Sequence, residues 1–242
     1  MKFILLSVAS LALSTGAALA QDVVRIGTEG AYPPYNFVND GGHVDGFERE
    51  LGDRICEIAK LNCEWVTNDW DSIIPNLQSG NYDVIMAGMS ITDERKSVID
   101  FSEAYTPPSP SAYAALSADV DVNSVVVAAQ TGTIQAAHVA ETGATLLEFP
   151  TPDETIAALR NGEADAVMAD RDYLAPFVDE SNGEITWVGD PVPLGGGIGA
   201  GFRKSDTELR DKFSTAVAEL KASGEMNQLI VKWLGADADV WQ

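Results

Sequence analysis

An arginine and an aspartate lie just beyond the ends of two apolar strands, and chemistry could begin there. The run Val84-Ile85-Met86 leads to Gly88, and Ser90-Ile91-Thr92-Asp93-Glu94-Arg95 follows as a strand exit turning into a helix. Thr92 is a fitting N-cap, which sets Arg95 in the first helical turn beside backbone N–H groups that lack helical partners. An anionic carboxylate suits that place, because the guanidinium fork donates paired hydrogen bonds and the backbone adds more. Asp170 ends the strand Ala166-Val167-Met168-Ala169 and suits an ammonium. Together the two read as a clamp for a zwitterion. Each also has an ordinary alternative. Arg95 could pair with Glu94 or Asp100 on a solvated helix face, Asp170 could cap the helix that follows it, and Gly88 could simply avoid a clash.

The elements that must position these groups repeat. Leu77-Gln78-Ser79-Gly80-Asn81-Tyr82-Asp83-Val84-Ile85-Met86-Ala87-Gly88 matches the segment 82 residues later, from Leu159 to Asp170, and the same step carries a capping Asp71 onto a capping Asp153. Short apolar strands alternate with amphipathic helices, as in Val23 to Gly27 followed by Phe47, Leu51, Ile55 and Ile58 at helical spacing, so the fold class is α/β. Two lobes of one design follow. Two proline-rich segments, Tyr105-Thr106-Pro107-Pro108-Ser109-Pro110-Ser111 and Pro191-Val192-Pro193-Leu194-Gly195-Gly196-Gly197, read as stiff crossovers. The expected division is 21–108 for the first lobe, 109–196 for a second lobe inserted into it, and 197–242 for the return to the first. The returning segment carries two amphipathic helices, marked by Leu209, Phe213, Ala216, Val217 and Leu220, and by Leu229, Ile230 and Trp233. Adjacent crossovers make a hinge, and a hinge implies a cleft, where open α/β sheets bind ligands beyond their strand ends.

Composition sets the outer bounds. The chain has 242 residues, 15 Lys+Arg against 37 Asp+Glu and a net charge of −22, with 45% hydrophobic residues. That is a globular chain, and its acidity disfavours nucleic acid and anionic membrane surfaces as partners. Lys2 precedes the apolar run Phe3 to Leu13, and Ala18-Leu19-Ala20 is a small-x-small cleavage signal. Residues 1–20 are thus expected to be a secretory signal peptide cleaved after Ala20, too short to span a bilayer. Export to an oxidising compartment favours a Cys56–Cys63 disulfide over two buried thiols. His43 and His138 stand far from both cysteines, so no metal site and no cofactor is expected. Gly88-Met89-Ser90-Ile91-Thr92 stops one glycine short of a nucleophile elbow, and no histidine follows His138 to serve it.

The leader, Ile26-Gly27-Thr28-Glu29-Gly30-Ala31-Tyr32-Pro33-Pro34-Tyr35, Gly46-Phe47-Glu48, Asp83-Val84-Ile85, the segment from Gly88 to Arg95, and Asp100-Phe101-Ser102 together resemble the periplasmic polar amino-acid-binding proteins of ABC importers. The likeness is nearest to the lysine/arginine/ornithine and histidine binders. It implies the two-lobed periplasmic binding protein fold of type II, a periplasmic location, a Cys56–Cys63 disulfide, a monomer without enzymatic activity, and an inner-membrane ABC permease as partner. By the same likeness Arg95 grips the ligand α-carboxylate, with the main chain of Thr133 and Ile134 reaching it from the second lobe. Asp170 and the Gly88 carbonyl bind the α-ammonium, Ser90 touches both ends, and Tyr32 and Trp70 sandwich the side chain. Glu29 falls where cationic-amino-acid binders carry an acid for the distal cation, though it could equally be a solvated or turn-capping loop carboxylate. Glu29 is one methylene longer than the Asp expected, and Ala87 replaces a polar residue nearby. The expected ligand is arginine, lysine or ornithine. An opine or another amino-acid derivative, and a lyase on the same bilobal fold, are the alternatives.

Overall fold

The computed structural model describes residues 23–242; the predicted leader and its cleavage point lie outside them. The chain enters as β1 (Val23–Thr28). A small antiparallel meander, β2 (Ala31–Tyr32), β3 (Asn36–Val38) and β4 (Val44–Asp45), then leads to α1 (Phe47–Ala59). Phe47, Leu51 and Ile55 recur every four residues on one helix face and are fully buried, the burial that drives an amphipathic helix onto a sheet. The Cys56–Cys63 disulfide, S–S 1.99 Å, ties α1 to β5 (Asn62–Thr67). A 3-10 turn, Trp70–Ser72, then opens α2 (Ile73–Gln78), followed by β6 (Val84–Ile85), α3 (Asp93–Val98) and β7 (Asp100–Phe101).

The second set runs β8 (Ser111–Ala115), β9 (Val126–Gln130), α4 (Ile134–Ala140), β10 (Thr145–Phe149), α5 (Pro152–Asn161), β11 (Ala166–Asp170), α6 (Arg171–Asp179) and β12 (Thr186–Val192). The chain then returns through β13 (Gly201–Phe202) to α7 (Thr207–Ser223) and α8 (Glu225–Leu234). One five-stranded sheet has the order β5-β1-β6-β13-β7 and the other β10-β9-β11-β8-β12. In each, the first three strands are parallel and an antiparallel strand follows. The first sheet takes β13 from the far end of the chain, and Phe213, Ala216, Val217 and Leu220 of α7 are buried in the same apolar cluster as α1.

The internal repeat is a repeat in space. Val84 and Ile85 pair with Ile26 and Gly27, as Ala166 and Val167 pair with Val127 and Ala128. Asp83 takes the Arg25 N–H on its carboxylate at 3.0 Å, and Asp165 takes the Val126 N–H at 3.0 Å. The aspartates expected as caps, however, are not the caps. Asp71 lies inside the 3-10 turn, and Asp153 is the second residue of α5, whose cap is Thr151. Thr151 and Glu154 form a capping box around Pro152, which needs no N–H partner in the first turn.

The two crossovers lie side by side. Tyr105 N–H donates to the Ile198 carbonyl at 2.8 Å, and Ile198 N–H to the Thr106 hydroxyl at 3.1 Å. On the other edge Ile91 N–H donates to the Gly197 carbonyl at 2.8 Å. Gly197 has φ +88°, and a Cβ there would sit 2.6 Å from the Thr106 carbonyl oxygen, so this crossing requires glycine.

Glu48 is the polar exception on the apolar face of α1. Its carboxylate is wholly buried and accepts Gly88 N–H at 2.8 and 2.9 Å, Asn36 Nδ2 at 2.7 Å, and the Tyr105 hydroxyl. Burial pushes this carboxyl up, against the pull of Tyr105, Gly88 and Asn36. One side chain thereby joins the end of the central strand to the first crossover. Removing it strands three buried donors, each costing about 1–3 kcal/mol. Glu48→Ala should therefore lower the unfolding free energy in urea by about 3 kcal/mol or more, and a loss below about 1 kcal/mol would contradict this account.

Candidate functional site

The ends of β1 and β6 and the start of α3 face the ends of β9 and β11 across the cleft. Between them lies a narrow, partly open cavity. All ten residues expected at the site line it: Glu29, Tyr32, Trp70, Ala87, Gly88, Ser90 and Arg95 from one side, and Thr133, Ile134 and Asp170 from the other. Gln130 and Gln135 line it as well, and neither was expected.

Arg95 stands in the first turn of α3, where Thr92 caps the helix by accepting the Arg95 N–H at 3.1 Å. That N–H is therefore engaged, and what Arg95 offers the cavity is its guanidinium. Nη1 donates to the Ser90 carbonyl at 2.9 Å, and the guanidinium carbon lies 5.2 Å from the centre of the Trp70 ring. Neither alternative partner holds it: among the described residues Glu94 forms no ion pair with Arg95, and Asp100 is bound by Arg210 at 2.8 Å. Burial lowers the guanidinium to about 10, opposed by the charges of Asp170 and Glu94, so it stays protonated at neutral pH.

Asp170 precedes α6, yet its carboxylate does not cap that helix. Oδ2 accepts the Tyr32 hydroxyl at 2.8 Å and Oδ1 accepts Gln135 Nε2 at 2.8 Å. Burial lifts it to about 6, against the Tyr32 hydrogen bond and the charge of Arg95. A carboxylate has about four acceptor sites, so two remain for a ligand. Tyr32 is fixed from behind by Tyr173, stacked at 4.4 Å and 8°, and Gly88, at φ +61°, brings the strand end beneath the Tyr32 ring. The Thr133 hydroxyl is spent on its own turn: it accepts Ala136 N–H at 3.1 Å and donates to the Gln130 carbonyl at 2.7 Å.

Glu29 is half-buried, and among the described residues its carboxylate caps no turn. Its Oε1 accepts Gln130 Nε2 at 2.6 Å across the cleft, and burial lifts its carboxyl to about 7, against that hydrogen bond. A third bridge, Tyr35 hydroxyl to Asp172 at 2.9 Å, also joins the two sides. The residues missed in the sequence left faint signals. Glu48 is an acid on the buried stripe of α1, and Gln130 is a polar end to an apolar strand.

The chain can now be set beside known proteins. Residues 24–236 match the model of the bacterial extracellular solute-binding proteins, family 3. The chain is similar to the crystal structure of a periplasmic His/Glu/Gln/Arg/opine family-binding protein from Silicibacter pomeroyi in complex with lysine. The two share 66% identity and a TM-score of 0.89, over 90% of this chain and 100% of that one. It is 31% identical to the L-arginine-binding protein of Pseudomonas aeruginosa, over 96% of this chain and 95% of the relative. It is 32% identical to the octopine-binding periplasmic protein of Rhizobium meliloti, over 85% and 82%. Two lobes, two crossovers and a polar cavity between opposed strand ends are thus the architecture of the type II binding proteins, and the chain belongs to the bacterial extracellular solute-binding proteins, family 3.

Proposed function

We propose that this protein captures a cationic L-amino acid, of the arginine, lysine or ornithine class, in the periplasm and presents it to an inner-membrane ABC permease. The observation that carries the reading is the placement of Arg95 and Asp170 on opposite walls of one cavity, each held by neutral partners and not by the other. A bound zwitterion would complete both. Its carboxylate meets Arg95 and the main chain of Thr133 and Ile134, and its ammonium meets Asp170 and the Gly88 carbonyl. Ser90 lies between the two ends. Tyr32 and Trp70 flank the aliphatic stem, and Glu29 receives the terminal cation. The lysine complex of the similar Silicibacter pomeroyi protein supports a cationic ligand. Ala87 leaves room near the distal end, so opines belong in any ligand screen, as the octopine-binding relative also suggests.

Residues 21–108 with 197–242 form one jaw in this reading and 109–196 the other. The ligand bridges the jaws, and the closed state gains affinity that the open state lacks. Hydrogen bonds to charged groups contribute about 1.5–3 kcal/mol each, so several together reach micromolar affinity or better. The protein acts as a monomer and binds without turnover. A bound candidate recovered chemically unchanged after long incubation supports this, and its conversion would favour a lyase.

Removing either charged group strands its partner on the ligand. Arg95→Ala and Asp170→Ala should each weaken binding at least about a hundredfold by calorimetry, and binding within about threefold of wild type would sink the assignment. The second expectation concerns pH. Glu29, raised to about 7, is neutral below that pH, and a bound cation favours its ionised form. Binding at pH near 6 should therefore release a proton, and arginine affinity should climb about tenfold from about pH 6 to pH 8. Asp170, raised to about 6, adds a smaller share. In the empty protein the sign reverses: a carboxyl raised by folding costs stability as pH rises from the ordinary carboxylate value towards 7. Glu29→Gln should flatten most of the affinity slope, and an undiminished slope would remove Glu29 from this role.

A further inference from the structure

Gln130 ends β9 and is only 7% exposed. Its Nε2 donates to Glu29 Oε1 at 2.6 Å and to the Pro150 carbonyl oxygen at 3.1 Å. A carbonyl oxygen only accepts, so the contact with Pro150 fixes which end of the amide is nitrogen. Both of its N–H groups are spent. Its Oε1 accepts no hydrogen bond among the described residues, while the residue lines the same cavity as Glu29. The two come from opposite sides of the cleft, 101 positions apart in the chain.

We propose that Gln130 is a specificity-determining residue, the second lobe's half of the subsite that reads the terminal cation of the ligand. Its amide nitrogen holds the Glu29 carboxylate in place, and its Oε1 supplies a second acceptor. The proposal rests on the reading that the ligand is a cationic amino acid. A guanidinium or an ammonium carries several N–H donors and no acceptor, so it can meet Glu29 and the Gln130 oxygen together. An aliphatic end meets neither and leaves both acceptors stripped of water. The two acceptors arrive from different lobes, so this end of the cavity is complete only when the lobes meet. Side-chain discrimination is therefore made at closure.

The test compares arginine with norleucine, which has the same amino-acid backbone and an uncharged aliphatic end, by direct and displacement calorimetry. Gln130→Met keeps the length without polar atoms and should reduce the preference for arginine over norleucine at least about tenfold, or about 1.4 kcal/mol. Gln130→Glu gives up the N–H that holds Glu29, but it keeps an acceptor and adds a negative charge facing the ligand cation, so it should hold that preference within about threefold of wild type or raise it. An unchanged preference in Gln130→Met overturns the proposal. So does a fall of more than about threefold from wild type in Gln130→Glu, which tests the idea by itself if the methionine variant does not fold. Wild-type protein that binds neither arginine, lysine nor ornithine would overturn the functional reading and this inference together. Intact arginine binding with an unmoved preference overturns this inference alone.

Discussion

Two opposite charges that face one cavity without touching each other are the constraint on which the rest of the structure depends. Arg95 and Asp170 sense each other's field, yet no ion pair joins them. The guanidinium leans on a carbonyl and an indole face, and the carboxylate on a phenol and an amide. Such partners keep a partly desolvated charge tolerable without neutralising it. Had the two been allowed to pair, the cavity would have been closed by the protein's own salt bridge. A dipolar molecule of the right span therefore completes something the fold leaves unfinished.

The fold maintains that separation by assigning the charges to different sheets. Each lobe delivers a strand end through the same parallel arrangement, with Gly88 in one place and Asp170 in its counterpart. The glycine is needed where the backbone passes under Tyr32, and the aspartate where charge is wanted. Beneath the first lobe's strand end, Glu48 gathers Gly88, Asn36 and the Tyr105 hydroxyl into one buried cluster. The Tyr105 carbonyl in turn accepts the Trp241 indole N–H at 3.0 Å, so the tail of the chain also bears on the crossover. The strand end that carries Gly88 and the first crossover are thus tied to one buried polar cluster.

The helix caps show how local reasoning can go astray. Aspartates are good caps, and the 82-residue repeat made Asp71 and Asp153 look like a matched pair. The 3-10 turn at Trp70 and the Thr151 capping box took those positions instead, because hydrogen-bond geometry at a helix start is settled within one or two residues. The repeat itself survived, since it rests on apolar strands and on Asp83 and Asp165, whose carboxylates hold equivalent neighbouring strands.

The α/β alternation, the repeat, the two proline- and glycine-rich connections and all ten cavity-lining candidates were legible in the residues, partly through periodicity and partly through resemblance. Periodicity carries that information because burial acts on neighbours three or four apart in a helix and two apart in a strand. What tertiary structure alone decided is who partners whom. Asp100 is taken by Arg210, which frees Arg95. Asp170 turns from its helix towards Tyr32, 138 residues away, and Glu29 meets Gln130 from the other lobe. Hydrogen bonds between residues so far apart leave no spacing to read, because the chain brings them together only by folding both sheets and closing one against the other.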